Sequence, residues 1–234
     1  MTEKQNVTDW FIYYELVNFD KHGEAMMSEL SCSDVNVHYR NGITMLMLAA
    51  RDDRLDVAEF LIEKGADVNA KDMGGNTALT WAVEWEHFNI VKFLIEKGAD
   101  INARDNNDDT VLIEAAMGKN IDIVRLLLDK GADINAGDCR ALVYAADLGR
   151  LDTVKLLIEK GVDVNARGKS YDAHTALMCA AQKGHLDVVK ILVENGADIN
   201  SKNNEGETAL DLARKYGESA EVVEWLEKNT KQAE

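Results

Sequence analysis

The chain has 234 residues, of which 46% are hydrophobic, so it can bury a core and is not expected to be disordered throughout. Its net charge of −16, from 26 basic and 42 acidic residues, repels phosphates and anionic headgroups. Composition therefore argues against nucleic acid and membrane surfaces as partners and favours cationic ones.

Targeting signals and cysteine spacing give the expected compartment. The N-terminal stretch has neither the uninterrupted apolar region nor the cleavage site of a secretory signal, and no apolar run is long enough to cross a bilayer. The three cysteines lie far apart without metal-binding spacing. We expect a cytoplasmic protein with reduced thiols and no cofactor or metal.

The chain opens with a short tail, residues 1–7, followed by a degenerate unit over residues 8–38. Within that unit, TDWFIYYELVNFDKHGEAMMSEL predicts two helices that lead into the tetrapeptide SDVN. Because a terminal unit has a neighbour on one side only, its degenerate sequence is typical of a solenoid cap.

Two sequence markers then repeat with a common period. Glycines of a GADVN-like pentad occur at Gly65, Gly98, Gly131, Gly161 and Gly196. A leucine in TAL-like segments recurs at Leu46, Leu79, Leu112, Leu142, Leu177 and Leu210, with the same shortened and lengthened steps. The shared period predicts interior repeats at 39–71, 72–104, 105–136, 137–166 and 167–201, a C-terminal cap at 202–229 and a tail at 230–234.

Each repeat is predicted to hold two helices and a turn. In the second repeat, Thr77 stands at an N-cap position and Gly98 at the glycine that ends the second helix. One face of the first helix is predicted to hold Leu79, Ala82, Val83 and Glu86.

The repeat resembles the ankyrin repeat family. The family pattern of T-P-L-H-x-A-A, G-H-x-x-I-V and G-A-D-V-N-A is similar to TMLMLAA, TALTWAV, TVLIEAA, RALVYAA, TALMCAA and TALDLAR with their GADVN exits, over about residues 8–229. The family's proline is absent throughout, which is expected to lower stability and not to change the fold. The resemblance implies one all-α solenoid domain with β-turn fingers, which binds proteins through its concave face and finger tips.

Catalytic patterns are lacking. His87 and His185 occupy the turn histidine of the family, which usually bonds to backbone, and none of the common catalytic or nucleotide-binding motifs occurs. The repeats also use up nearly the whole chain. We therefore predict that the protein is not an enzyme.

Helical phase places two tryptophans away from the core. At about 100° per residue, Trp81 falls about 200° and Trp85 about 240° from Leu79, toward the predicted concave side. The position of Trp81 holds Leu48 and Leu212 in other repeats, so packing between repeats and partner binding both stay open for it. The position of Trp85 is mostly polar or small elsewhere, which favours binding.

Equivalent positions of the central repeats complete a candidate surface. Apolar side chains are surrounded there by acidic ones, which is typical of a protein-binding hot spot for a basic partner. The predicted partner-binding residues on the first helices are Trp81, Glu84, Trp85, Glu114, Met117, Tyr144, Asp147 and Leu148.

The loops between repeats add a further candidate. The fourth loop is reduced to Gly137–Cys139 and the fifth is lengthened to Arg167–His174, while Asp108 replaces the usual glycine of the third. Neutral drift in loop length is one interpretation. The other is a notch near Cys139, with Tyr171 as a partner contact.

Together these features predict a monomeric protein-interaction module that binds a protein or peptide, basic and with an apolar anchor. The alternative is a structural or engineered scaffold or spacer without a specific ligand, and an enzyme is a distant third. Large aromatic residues at solvent-facing positions favour the binding module.

Overall fold

The computed structural model describes residues 35–167, 173–217 and 219–230, and the regular structure within them is helical. A 3-10 turn, Arg40–Gly42, precedes the α-helices. These are α1 Met45–Arg51, α2 Leu55–Glu63, α3 Ala78–Glu84, α4 Phe88–Glu96, α5 Val111–Met117, α6 Ile121–Asp129, α7 Ala136–Asp147, α8 Leu151–Glu159, α9 Ala176–Gln182, α10 Leu186–Glu194, α11 Ala209–Tyr216 and α12 Ala220–Thr230. None of these described helices is both long and apolar enough to span a bilayer.

The chain divides into two compact units, with the boundary between Val111 and Leu112 at the start of α5. In the first unit, α1 packs against α2 and α3, α3 against α4, and α2 against α4. In the second unit, α7, α9 and α11 pack in succession, and so do α6, α8, α10 and α12. First helices thus stack on first helices and second helices on second helices within each unit. The single domain over 8–229 and its repeat boundaries stay a prediction, and most of the predicted N-terminal cap lies outside the described residues.

Threonines cap four of the first helices, as predicted for Thr77. The Thr77 hydroxyl accepts a hydrogen bond from the Thr80 backbone N–H at 3.3 Å, while the Thr80 hydroxyl accepts from the Thr77 N–H at 3.3 Å. Such reciprocal bonds satisfy N–H groups that the first turn of a helix leaves without partners. Thr44, Thr175 and Thr208 cap α1, α9 and α11 in the same way.

The buried face of α3 matches the periodic pattern at three of its four positions. Leu79, Ala82 and Val83 are buried. Glu86 was expected on the same face, but this is wrong, because α3 ends at Glu84 and Glu86 takes a left-handed conformation with φ of 58°. A seven-residue helix is too short to carry the pattern through a second full turn.

Asparagines of the GADVN pentads connect successive repeats. The Asn69 side chain donates to the Gly98 carbonyl at 3.2 Å and accepts from the Asp100 N–H at 2.8 Å. Asn36, in the degenerate SDVN segment, makes the same two bonds to the next repeat, and so does Asn165. Asn36 thus contacts the next repeat as Asn69 and Asn165 do, which supports the interpretation of SDVN as a copy of the exit motif.

The fingers in the first unit approach one another closely. Gly75 has φ of +84°, and a Cβ added to it would lie 2.9 Å from the Asp105 Cα of the next finger. In that next finger Asp108 has φ of 65°, which confirms that this aspartate adopts the left-handed conformation expected of a glycine position. An isolated β-bridge between Arg104 and Thr110 closes the base of the finger.

The shortened fourth loop is folded into the start of α7. Gly137, Asp138 and Cys139 all have positive φ, between 58° and 61°. Arg140 follows at the position that holds the capping threonine elsewhere, and its Nε donates to the Gly137 carbonyl at 3.1 Å. Three consecutive left-handed residues thus complete the turn that a longer finger makes elsewhere, and Cys139 is buried by it.

Candidate protein-binding surface

Trp85 is the exposed tryptophan among the described residues of the first unit. It is the C-cap of α3, and its backbone N–H donates to the Trp81 carbonyl at 3.2 Å. Its side chain is 53% exposed, and the neighbouring Glu84 is exposed as well. A large indole at the surface beside a carboxylate is a combination suited to binding a partner.

Trp81 is held in place by the finger of its own repeat. It is partly exposed, and its indole Nε1 donates to Asp72 Oδ2 at 3.2 Å. Of its equivalents, Leu48, Cys179 and Leu212 are buried, whereas Glu114 and Tyr144 are partly exposed. The hydrogen bond to Asp72 favours the packing interpretation of Trp81, and the position as a whole admits both.

The turn after α3 lies against the turn after α1. His87 Nε2 is 2.9 Å from the Arg51 carbonyl oxygen, and its Nδ1 is 3.7 Å from Asp53 Oδ1. Arg51 donates to both carboxylate oxygens of Asp52, at 2.6 and 2.9 Å. The expected backbone bond of this histidine is confirmed, and it brings the carboxylate of Asp53 into the neighbourhood of the α3 turn.

In the second unit, the predicted residues of α7 differ in exposure. Leu148, the C-cap of α7, is 42% exposed, whereas Tyr144 and Asp147 are partly exposed. The Asp147 carbonyl oxygen lies 3.0 Å from His185 Nε2, which repeats the contact of His87 with Arg51. Arg150 makes the equivalent bond in the fourth repeat, where its Nε donates to the Met117 carbonyl at 3.1 Å.

The remaining predicted residues are less distinctive. Glu114 and Met117 are partly exposed on α5, and Tyr171 lies outside the described residues. Helix α3 places Trp81, Glu84 and Trp85 together in the first unit, and α7 places Tyr144, Asp147 and Leu148 together in the second. Their role as one partner-binding surface stays a prediction.

Sequence reasoning missed two exposed apolar side chains. Met73, at the tip of the second finger, is 73% exposed, and its backbone N–H donates to the Asn41 carbonyl at 2.7 Å. Tyr216, the equivalent of Trp85 in the last repeat, is 50% exposed and carries Lys215 Nζ 5.4 Å from its ring centroid. A methionine between Asp72 and Gly74 in a turn segment was the available signal for the first of these.

The thiols in the described residues are shielded. Burial raises the pKa of the Cys179 thiol to about 12, and the carboxylate of Asp147 adds to the effect. Burial also raises the pKa of Cys139, whose Sγ contacts Asn135 Oδ1 at 3.4 Å. Neither thiol has the lowered pKa of a nucleophile. Among the described residues, no group of three or more His, Cys, Asp or Glu side chains is arranged to hold a metal ion.

Comparisons with known proteins agree with this architecture. A family model for ankyrin repeats matches in three copies, at residues 16–105, 102–168 and 166–233. The crystal structure of the ankyrin repeat domain of Bcl-3, described as a unique member of the IkappaB protein family, is similar with a TM-score of 0.76 and 29% sequence identity. That match covers 92% of this chain and 97% of the Bcl-3 chain. The comparison with curated proteins finds no match.

Proposed function

The chain belongs to the ankyrin repeat family, and on that premise we propose that it is an interaction module for a basic protein or peptide with an apolar anchor. Ankyrin repeat domains generally mediate protein–protein interactions, and the all-helical repeat fold is an interaction module and not a known catalytic scaffold. We further propose that the chain has no enzymatic activity, works as a monomer in the cytoplasm, and binds neither nucleic acid nor membranes.

One observation carries the proposal. Trp85, the C-cap of α3, is 53% exposed. Burial of a large aromatic side chain in a protein interface contributes substantially to affinity, and tryptophan is among the residues most enriched in binding hot spots. In the second unit, Leu148 at the equivalent position is 42% exposed, so that unit has an exposed apolar side chain of its own.

Charge supports a cationic partner. The net charge of −16 raises the encounter rate with basic partners and disfavours acidic ones. Glu84 precedes Trp85 and Asp147 precedes Leu148 in the sequence, so each exposed apolar residue has an acidic neighbour along the chain. A basic segment that also carries one apolar residue, or one residue that binds an aromatic ring, would match both the acidic charge and the exposed apolar side chains.

The proposal is tested by affinity capture with the full chain as bait. Wild-type bait and a Trp85→Ala, Leu148→Ala bait are exposed to native lysate in parallel, with recovered proteins quantified by mass spectrometry. We expect a reproducible set of basic proteins on the wild type that is depleted on the variant. A scaffold or spacer without a ligand would enrich nothing reproducibly on either bait, and that result would contradict the proposal.

A further inference from the structure

The last repeat shows what an exposed aromatic residue at the Trp85 position does within this fold. Tyr216 follows Lys215, and the ammonium group lies 5.4 Å from the centroid of the tyrosine ring. Lys215 also pairs with Glu207 at 2.8 Å, and that hydrogen bond raises its pKa. The chain therefore supplies its own cation to the face of this aromatic ring, within the distance of a cation–π contact.

The second repeat has the aromatic residue without that cation. Trp85 is equivalent to Tyr216, and Glu84 is equivalent to Lys215. The indole is a stronger cation–π acceptor than a phenol ring, and a carboxylate here stands where the last repeat has an ammonium. An exposed aromatic ring beside a carboxylate attracts a cation from outside the chain.

The basic side chains of the neighbouring turn already have carboxylate partners. Arg51 makes two bonds to Asp52, and Arg54 makes two bonds to Asp56, at 2.9 and 2.8 Å. The carboxylate of Asp53 adds further negative charge to the turn after α1. The contacts of His87 with Arg51 and Asp53 hold this turn next to the turn after α3. Charge complementarity at Trp85 therefore calls for a cation from a partner.

We propose that Trp85 and Glu84 form a subsite for an arginine side chain of the partner, an inference that rests on the proposed function. A guanidinium is planar, so it can stack on the indole while its N–H groups donate to the Glu84 carboxylate. Arginine is also less strongly hydrated than lysine, which lowers the cost of placing it against an aromatic surface. Net charge alone predicts only that the partner is basic. The subsite predicts that one of the partner's basic side chains is an arginine.

A direct test uses N-acetyl-argininamide as the probe and the full-length 15N-labelled chain. The four tryptophans give four indole N–H signals, and that of Trp85 is assigned by its loss in Trp85→Phe. At constant ionic strength we expect the Trp85 signal to shift about ten times more with the arginine probe than with N-acetyl-citrullinamide, which is planar but uncharged. The Trp81 signal, whose Nε1 is bonded to Asp72, is expected to stay nearly unchanged.

Two exposed substitutions provide a matched pair. Glu84→Lys gives the second repeat the cation that Lys215 provides in the last, so we expect it to abolish the response to arginine. Glu96→Lys makes the same charge change at an exposed position at the end of α4, and the response is expected to persist. Equal shifts with arginine and citrulline, a larger shift with N-acetyl-leucinamide, or an arginine response that survives Glu84→Lys would overturn the subsite.

Partner binding separates this inference from the proposed function. Trp85→Leu keeps an apolar side chain but removes the aromatic face, whereas Trp85→Ala removes both. If the captured partner binds Trp85→Leu as tightly as wild type and Trp85→Ala at least about tenfold more weakly, Trp85 is an apolar anchor. The arginine subsite is then wrong and the binding function stands. If both variants weaken binding about tenfold, the subsite is supported.

Discussion

Trp81 and Trp85 have the same side chain on the same helix and different environments. The indole of Trp81 donates to Asp72 in the adjoining finger, whereas the indole of Trp85 is the more exposed of the two. A buried or partly buried polar group needs its hydrogen bond, and an exposed one can bond to water instead. Replacement of Trp81 is therefore expected to lower the free energy of unfolding more than replacement of Trp85.

We predict that Trp81→Phe lowers the free energy of unfolding by about 1 kcal/mol, because the Asp72 carboxylate loses its indole partner. Trp85→Phe is expected to change it by less than about 0.5 kcal/mol, since the site is at the surface. Urea unfolding of both variants, followed by circular dichroism, measures the difference. Equal destabilisation by the two substitutions would show that Trp85 is also a packing residue.

Cys179 provides a second test at this scale, because burial raises its pKa to about 12 from an ordinary value of 9.0. Near pH 8 the thiolate fraction is then about a thousandfold lower in the folded protein than in the unfolded one, and the thiolate is the species that reacts. We predict that iodoacetamide modifies Cys179 rapidly in guanidinium chloride and extremely slowly in native buffer, as read by peptide mass spectrometry. Comparable rates in both conditions would contradict the buried position.

The same pKa shift has a defined sign for stability. Between about pH 9 and pH 12 the unfolded chain loses the Cys179 proton and the folded chain keeps it. The contribution of the Cys179 pKa shift to the free energy of unfolding is therefore fully present below pH 9. It is lost, and the free energy of unfolding falls, as the pH rises toward 12. A Cys179→Ala variant removes this contribution, so its alkaline stability profile is expected to be flatter than that of the wild type.

At the scale of the structural element, the fingers are fixed by backbone packing. Gly75 and Gly98 both have positive φ, near +84° and +89°. Around Gly98 a Cβ would meet nothing within 4 Å, whereas at Gly75 it would lie 2.9 Å from the Asp105 Cα. The two glycines thus share the conformational requirement, and Gly75 adds a steric one.

We predict that Gly98→Ala destabilises the protein by about 1 kcal/mol, the cost of a left-handed conformation for a residue with a Cβ. Gly75→Ala is expected to cost more than Gly98→Ala, because the neighbouring finger must also move away from the new methyl group. The comparison is made by urea midpoints of the two variants. A smaller effect at Gly75 than at Gly98 would show that the fingers in the first unit are not held against each other.

Local patterns predicted the elements well, and contacts between repeats were harder to predict. Thr77, Leu79 and Gly98 follow from capping, periodicity and helix termination, which are properties of neighbouring residues. The bonds of Asn69 to the next repeat depend on how repeats stack, and a single repeat carries no information about that geometry. The repeat period showed that asparagine recurs at this position, but it did not show which backbone groups the side chain bonds to.

Prediction of the candidate site was limited for a similar reason. Helical phase correctly separated the exposed Trp85 from the buried Leu79, since phase depends on the helix alone. It could not show that Asp72 fixes Trp81, because that bond depends on the conformation of a loop nine residues earlier. It also could not foresee three left-handed residues at Gly137–Cys139, since a shortened loop can close in several ways.

At the scale of the whole molecule, packed repeats form the framework of each unit, and we propose that exposed side chains supply the specificity. Most leucines and alanines of the first helices are buried in both units, whereas Trp85 and Leu148 at helix ends and Met73 in a finger are exposed. We propose that function in this fold depends on the few exposed apolar side chains, among them Trp85, Leu148, Met73 and Tyr216. The charge of −16 favours the cationic partner that we propose.

The measurement that tests this account most directly is the dissociation constant of the complex with the captured partner, determined by calorimetry for three forms of the full chain. The double variant Trp85→Ala, Leu148→Ala removes two exposed apolar contacts, and the control Lys92→Ala, Glu159→Ala alters exposed positions on the second helices. We predict that the double variant binds about 30-fold more weakly than wild type, the loss of about 2 kcal/mol expected of a hot spot, with the control unchanged within about twofold. Wild-type affinity in the double variant would contradict a binding surface built on Trp85.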